Sequence, residues 1–469
     1  MFCLSPFLMY FCREIDKTNI NLMEIYKIKK GLNIRLEGEA APDIRDVKAS
    51  SEYALVPDDF AGIVPKVQVK EGEQVLAGTA LFVDKATESI KFVSPVSGTV
   101  TSVERGERRK LLAIHVKPDS AQVKKSFEVP DVKSVSAEEA KRFLLETGAF
   151  AFFRQRPYDV VPSPEVAPKA IFVSAFSAMP LAADFNVVVK GQEEDFKFAV
   201  KFLARIAKVH VGVSPAQLNT PLLPLEDAQV SLFEGPNPAG LVGVQINHVD
   251  PVNKGEVVWT LGAEEVLFIG RLLRTGKPDF SRVIAVAGSE VKAPQYARVL
   301  VGQTIESIVE GQLKEADHHV RVIDGNPLVG RKAGAFLGAH TTEVCAIPEG
   351  DDVNEVLGWI MPRVNEISTH RSYISSFFKG KAYNPDCRIK GGERHMIMSA
   401  EYERVFPMDI YPSYLIKAII TGDIDRQEAL GIYEVAPEDF ALAEFICSSK
   451  LELQRIVRQG LDILRKENA

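Results

Sequence analysis

The sequence predicts a multidomain protein of mixed α/β and β structure, and three observations carry that prediction. Residues 24–118 hold short runs of alternating apolar and polar residues punctuated by glycine, the pattern of small sheets. Residues 131–280 alternate β-like apolar runs with helix-period segments, which is the signature of a β/α unit. From Pro412 onward the apolar spacing is helical. At 469 residues the chain is long enough for several domains.

Taken in order, residues 1–22 are expected to be an upstream extension. The oily run from Met1 to Cys12 stops at Arg13 and Glu14 and lacks a basic start and a cleavage site, while Met23 is a plausible start of the chain. The other reading of this segment is a short tail that touches a membrane. Residues 23–125 form the first domain. Its two halves echo one another, as Val67-Gln-Val-Lys-Glu-Gly with Leu81-Phe-Val, and as Ser94-Pro-Val-Ser-Gly-Thr-Val with Leu112-Ala-Ile-His-Val. A small barrel or sandwich follows.

Residues 126–280 form the β/α domain. Ser136 with Glu139 makes a capping box, and Gly148 stands where a helix ends. Strands are expected at 170–175, 187–189, 209–213 and 228–233. Phe196, Ala199, Val200, Leu203 and Ala207 mark one face of a helix over 192–208. Residues 281–330 form a third, β-grasp-like unit with a hairpin turn at Asp324-Gly325. Residues 331–394 read as β-rich and irregular. Residues 395–469 are helical: Pro412 suits the first position of a helix ending near Gly422, and Ser449 with Glu452 predicts another capping box.

Composition excludes several classes. A net charge of −7 and a pI near 5.8 leave no basic footprint for nucleic acid. No apolar run reaches the roughly 18–20 residues of a membrane span. The cysteines Cys3, Cys12, Cys345, Cys387 and Cys447 form no Cys-x-x-Cys pair, so neither a zinc ribbon nor a dithiol motif is expected, and the sparse usage suits a reducing compartment.

The C-terminal unit carries the most telling feature. The bacterial ferredoxin run is C-x2-C-x2-C-x3-C-P. Laid on Pro407, its ligand positions fall on Met396, Ser399, Tyr402 and Phe406. Laid to end on Cys447, they fall on Pro437, Phe440, Ala443 and Cys447. The surrounding strings, Phe406-Pro-Met-Asp-Ile-Tyr-Pro-Ser-Tyr-Leu, Glu428-Ala-Leu-Gly-Ile and Ile446-Cys-Ser-Ser-Lys-Leu, resemble the frame around paired iron–sulfur clusters in electron-transfer proteins. With the Lys27-Ile-Lys-Lys-Gly opening and Phe153-Arg-Gln-Arg-Pro, the chain resembles the A subunits of bacterial sodium-translocating NADH:quinone oxidoreductases. The wider relatives are the C subunit of the Rnf complex and the flavin subunit of complex I.

That resemblance implies a lipoyl/biotinyl-like barrel-sandwich hybrid, a Rossmann-like β/α domain, an SLBB-like β-grasp domain and a ferredoxin-like helical remnant. It implies a peripheral subunit on the cytoplasmic face of the bacterial inner membrane, partnered by subunits B to F of a complex that oxidises NADH, reduces quinone and exports sodium. Flavin-bearing relatives hold a phosphate on a glycine-rich loop; the matching stretch here, Thr147-Gly-Ala-Phe-Ala-Phe-Phe-Arg-Gln-Arg-Pro-Tyr158, keeps one glycine among bulky rings. Neither FMN, nor an iron–sulfur cluster, nor any other tightly bound cofactor or metal is therefore expected, and no catalytic residue is assigned.

A quinone headgroup is the candidate ligand. Phe150, Phe152, Phe153 and Tyr158 would stack on it, and Arg154 and Arg156 would donate to its oxygens. The plain alternative is that the rings are core and the arginines pair with carboxylates. Two other functions stay open: a lipoyl-like carrier modified at Lys85, although Lys85 lies far from Gly98 for such a hairpin, and a soluble flavin-dependent NADH dehydrogenase. His318-His319 reads as a surface pair and His248 as a loop-orienting residue.

Overall fold

The computed structural model describes residues 23–353, 361–369, 371–378 and 380–468. The expected extension 1–22, with Cys3 and Cys12, lies outside them. Two N-terminal strands, β1 (Glu24–Lys27) and β2 (Ala41–Asp46), come first and belong to neither of the small sheets that follow. β3 (Tyr53–Leu55), β4 (Pro65–Val67), β5 (Gln74–Val75), β6 (Ala80–Asp84), β7 (Lys91–Val93), β8 (Gly98–Arg105) and β9 (Leu111–Pro118) build a four-stranded sheet, β3-β9-β8-β5, and a three-stranded sheet, β4-β6-β7. Leu81, Phe82, Phe92, Val100 and Ile114 are buried between them.

Helix α1 (Ala137–Thr147) begins at the expected capping box, with Ser136 Oγ accepting from Glu139 N–H and Glu139 accepting from Ser136 N–H, and it ends on Gly148 at φ 80°. β10 (Arg154–Arg156), β11 (Ala170–Ser174), α2 (Phe185–Val188), α3 (Glu193–Leu203), β12 (Lys208–Val213), β13 (Gln229–Glu234), α4 (Val242–Val249), β14 (Val258–Thr260) and α5 (Ala263–Thr275) complete this layer. Its sheet runs β1-β13-β12-β11-β14-β10. All pairings are parallel except β10 with β14. The chain leaves β11 first toward β12 and β13, then returns to place β14 on the other side, so the direction of winding switches between β11 and β14. Such a doubly wound sheet opens a crevice beyond the carboxyl ends of its strands.

β15 (Ser281–Ala287), β16 (Gln295–Leu300), α6 (Ile305–Val309), β17 (Val320–Asp324), β18 (Arg331–Lys332) and β19 (Glu343–Pro348) form the third sheet, in the order β18-β17-β19-β15-β16-β2. The C-terminal unit follows with α7 (Pro412–Thr421), α8 (Ile424–Ala429), α9 (Ala441–Ile446) and α10 (Leu453–Glu467). Pro412 opens α7 and Gly422, at φ 70°, closes it. A core of Leu415, Ile416, Phe440, Leu453, Val457 and Leu461 joins this unit to Ile28, Phe233 and Val244 of the β/α layer.

Four expectations change. The strands cross the expected boundaries: β1 pairs with β13 and β2 with β16, while β18 and β19 carry the third sheet past residue 330. β1, β2 and β18 each complete a sheet edge, whereas β19 lies inside the third sheet between β17 and β15. Residues 185–188 are helical, because Asp184 Oδ1 caps Asn186 N–H at 2.9 Å and the apolar run is too short to hold a strand against that cap. The turn after Asp324 is the longer loop 325–330, with Asp324 opposite Arg331. The capping box at Ser449 does not form: Ser449 donates to His395 O at 3.0 Å, and Glu444 accepts instead from Gln454 N–H at 2.8 Å, starting α10 at Leu453.

Candidate functional site

A cavity of about 560 Å³ lies at the winding switch. Ser174 and Ala175 at the end of β11, Thr260 and Leu261 at the end of β14, and Gly240 and Leu241 beyond β13 form its floor, and the loop at 338–343 with Pro437 and Glu438 forms its walls. It is an acidic space. Asp59, Asp159, Glu264, Glu265, Asp324 and Glu343 face it, against Arg154, Arg331 and His340.

These charges are largely held by one another. Arg331 reaches both Asp59 and, at 3.2 Å, Asp324. Arg282 donates to Glu265 at 2.8 Å, and Asn326 donates to Glu343 at 2.9 Å. Burial alone would raise Glu265, but Arg282 and then His340 carry its pKa down to about 2. Burial raises Glu264 to about 8, because its two oxygens have no hydrogen-bond partner among the described residues and Arg282 offsets only part of the cost. Glu343 is raised by burial as well, against the donors Thr342 and Asn326.

The six residues expected to hold a quinone do not share one pocket. Phe150 and Phe153 are fully buried, 5.6 Å apart, each packed on Trp259. They fill the core beneath the sheet. Arg156 is 1% exposed and its Nη2 lies 3.2 Å from Glu438 and 3.7 Å from Asp439; the segment 437–440 lies across it and takes its charge. Tyr158, at φ 81°, turns toward α10, where its carbonyl accepts from Arg458 at 2.6 Å and its hydroxyl meets Asn468 at 3.2 Å. Phe152 and Arg154 alone of the six line the cavity. Phe152 sits edge-on to His340 and Phe268, and Arg154 lies 3.7 Å from Asp159.

The 147–158 stretch does not fit a flavin phosphate. A phosphate cradle needs free backbone amides, yet Ala151 N–H bonds Gly148 O, Phe153 N–H bonds Phe150 O and Gln155 N–H bonds Val160 O. A Cβ at Gly148 would stand 2.6 Å from Val93, so the loop is closed against the barrel.

The two cysteine-stripped runs do come together. Tyr402 Oη lies 2.9 Å from Cys447 Sγ, and Phe406 and Phe440 rings sit 4.9 Å apart. In two-cluster ferredoxins the fourth ligand of each run serves the other cluster. The contacts follow that crossing, joining the third position of the first run to the fourth of the second, and the fourth of the first to the second of the second. One thiol and three ring-bearing residues cannot ligate a cluster, and the space is packed.

Of the remaining candidates, Lys85 is exposed where β6 ends, with its backbone N–H on Val64 O at 2.7 Å. His318 and His319 face different carboxylates, Glu290 and Asp351. His248 Nδ1 meets Val244 O at 2.8 Å within α4. Sequence reasoning missed Glu264, Glu265, His340 and Glu343. The acidic pair after Gly262 reads only as the start of a helix, and nothing near His340 marks it.

Comparison with known proteins agrees with this layout. Profiles described as the NqrA N-terminal barrel-sandwich hybrid domain, the NqrA second alpha/beta domain and the NQRA C-terminal domain match residues 26–119, 135–278 and 283–335. The A subunit of the Na(+)-translocating NADH-quinone reductase of Hahella chejuensis is 36% identical over 94% of this chain and 99% of its own length. The corresponding chains of Neisseria meningitidis serogroup C and Pasteurella multocida are 36% and 35% identical over the same shares. With the barrel-sandwich, β/α and third-sheet layers in the same order, the chain belongs to the NqrA family, the A subunits of Na(+)-translocating NADH-quinone reductases.

Proposed function

We propose that this chain is the peripheral A subunit of a sodium-translocating NADH:quinone reductase, seated on the cytoplasmic face of the inner membrane with subunits B to F, and that it holds a quinone headgroup in the cavity above its β/α sheet. The observation that carries the ligand reading is the cavity itself, which offers an aromatic wall at Phe152 and a cation at Arg154. Arg154 supplies N–H donors to a quinone oxygen, and Phe152 gives the ring an apolar face. The acidic walls disfavour a phosphate and leave a neutral ring unopposed.

Electron transfer belongs to the partners in this reading. The helical unit is a ferredoxin-like remnant in which Tyr402, Cys447, Phe406 and Phe440 stand in place of two clusters. Sodium passes elsewhere, since an ion path needs membrane-spanning elements and no described helix is long and apolar enough to cross a membrane. The chain then contributes assembly and ligand handling, with no catalytic residue and no resident FMN.

The test is titration of the purified full chain with a soluble quinone analogue, followed by quenching of Trp259, which adjoins Phe150 and Phe153. Saturable binding weakened by Arg154→Ala and unchanged by Tyr158→Phe is expected. Absence of binding, or binding indifferent to Arg154, would refute the ligand reading. Failure of the tagged chain to co-purify with the other subunits from membranes would refute the assembly reading.

A further inference from the structure

His340 stands apart from the other cavity groups. It follows Ala339, whose N–H is fixed by Asp59 Oδ2 at 2.9 Å, so the loop that carries it is pinned to the barrel. Its ring is clamped edge-on between Phe60, at 5.8 Å, and Phe152, at 5.7 Å. Nδ1 lies 3.6 Å from Glu265 Oε1. The side chain keeps 22% of its accessible surface, and it lines the cavity. Among the described residues Nε2 has no hydrogen-bond partner, and it is not one of the enclosed polar atoms, so it keeps some accessible surface on a residue that lines the cavity.

Glu265 is the carboxylate nearest Nδ1, beyond direct hydrogen-bond reach at 3.6 Å, and its charge favours the ring proton on that side, which leaves Nε2 as a bare lone pair. We propose that His340, oriented by Glu265, reads the oxidation state of the ring held in the cavity: its free Nε2 accepts a hydrogen bond from the hydroxyl of a quinol and has nothing to receive from the carbonyl of a quinone. The inference rests on the quinone reading above and deepens it. Arg154, a donor only, serves either form. His340 is thus a specificity-determining group that favours the reduced ligand.

The electrostatic surroundings support an uncharged imidazole. Burial, and next Arg154, hold its pKa below the ordinary 6.5 against the pull of Glu265. The charged groups facing it are Glu265 from α5, Arg154 from β10, Asp159 from the turn that follows, Arg282 from β15 and, through the loop backbone, Asp59. Glu265 is itself committed to Arg282, which limits its ability to charge the ring.

The test compares two probes by calorimetric titration of the full chain: a short-chain alkyl-1,4-benzoquinone, which only accepts, and the matching 4-methoxyphenol, which donates. Above pH 7 the wild type is expected to prefer the phenol by about three- to ten-fold, the factor of one net hydrogen bond. That preference fades as acid protonates Nε2. His340→Phe keeps the ring contacts and abolishes the preference, while His340→Gln keeps an acceptor oxygen and retains it without pH dependence. Equal affinity for both probes in the wild type, or a preference that survives His340→Phe, overturns the inference and leaves the quinone reading standing. Loss of both probes in both variants reduces His340 to a structural residue and also overturns it. Binding of neither probe to the wild type overturns the inference and the quinone reading together.

Discussion

Arg156 offers the sharpest separation between a core residue and a ligand-binding one. It is 1% exposed and is the cation nearest Asp439, whose side chain is fully buried. Arg156→Met keeps most of the volume and deletes the charge. Removing one partner of a buried pair costs about 3–5 kcal/mol, because the remaining charge is left in a poor medium. Asp439 retains one donor, the Ala436 N–H at 2.8 Å.

The pH dependence has a definite sign. Burial raises Asp439 to about 7, and Arg156 is what keeps it from rising further. A carboxyl whose folded pKa lies above its ordinary 3.8 holds a proton that the unfolded chain releases, so stability falls as pH rises between roughly 4 and 7. Without Arg156 that window extends upward. The variant's loss is therefore expected near the low end of the range at pH 6 and larger at pH 8. Calorimetric melting at both pH values measures it, with amide exchange over 437–447 to locate the loosening. A loss that ignores pH would refute the argument, and an unchanged melting point with abolished quinone-analogue binding would return Arg156 to the site.

His210 stacks on Phe172 at 4.6 Å with neither ring nitrogen partnered among the described residues, and burial lowers its pKa to about 4. Its folded value lies below the ordinary 6.5, so stability present above pH 6.5 is lost as pH falls toward 4, by about 3 kcal/mol; His210→Phe should flatten that acid limb in a pH series of melting curves. Gly148→Ala forces a side chain into φ 80° and against Val93 at 2.6 Å. It should destabilise by more than the about 1 kcal/mol of the left-handed backbone alone, read as a lowered melting point. With Cys3 and Cys12 replaced by serine, one thiol should react in the native state. Cys345 and Cys447 are buried, whereas Cys387 is half-buried, with burial raising its pKa to about 11. Its modification should be slow and should accelerate at alkaline pH in a thiol-reagent assay.

Much of the layout was legible in the chain because local rules agree with the global fold there. Ser136, Glu139 and Gly148 mark the two ends of α1, and Pro412 and Gly422 those of α7, since capping chemistry is decided within a few residues. The parallel strands β11, β12 and β13 were legible as apolar runs for a similar reason, whereas the three-residue β14 was not. What escaped was non-local. Nothing within Glu24–Lys27 or Ala41–Asp46 announces that these strands complete sheets made from residues 229–234 and 295–300. The helix at 185–188 was lost because a run of three valines outweighed the Asp184 cap. The site divided in the same way. Phe152 and Arg154 were found as an aromatic next to a cation, but Phe150, Phe153 and Arg156 share that composition, and only the sheet decides which side chains meet open space. Glu265 and His340 lie 75 positions apart, and no spacing in the sequence predicts that they meet.

The two N-terminal strands also set a timetable for biosynthesis. β1 and β2 leave the ribosome first, yet their partners emerge only with residues 234 and 300. At ordinary elongation rates β1 waits on the order of ten to forty seconds for β13. Throughout that wait the half-made β/α layer has an unfinished edge, the kind of surface that recruits other chains. The same stitching makes the β/α layer a poor candidate for expression by itself. A fragment cut at 126–280 would carry β13 bare, and grafting residues 23–30 back onto it is the shortest way to close that edge.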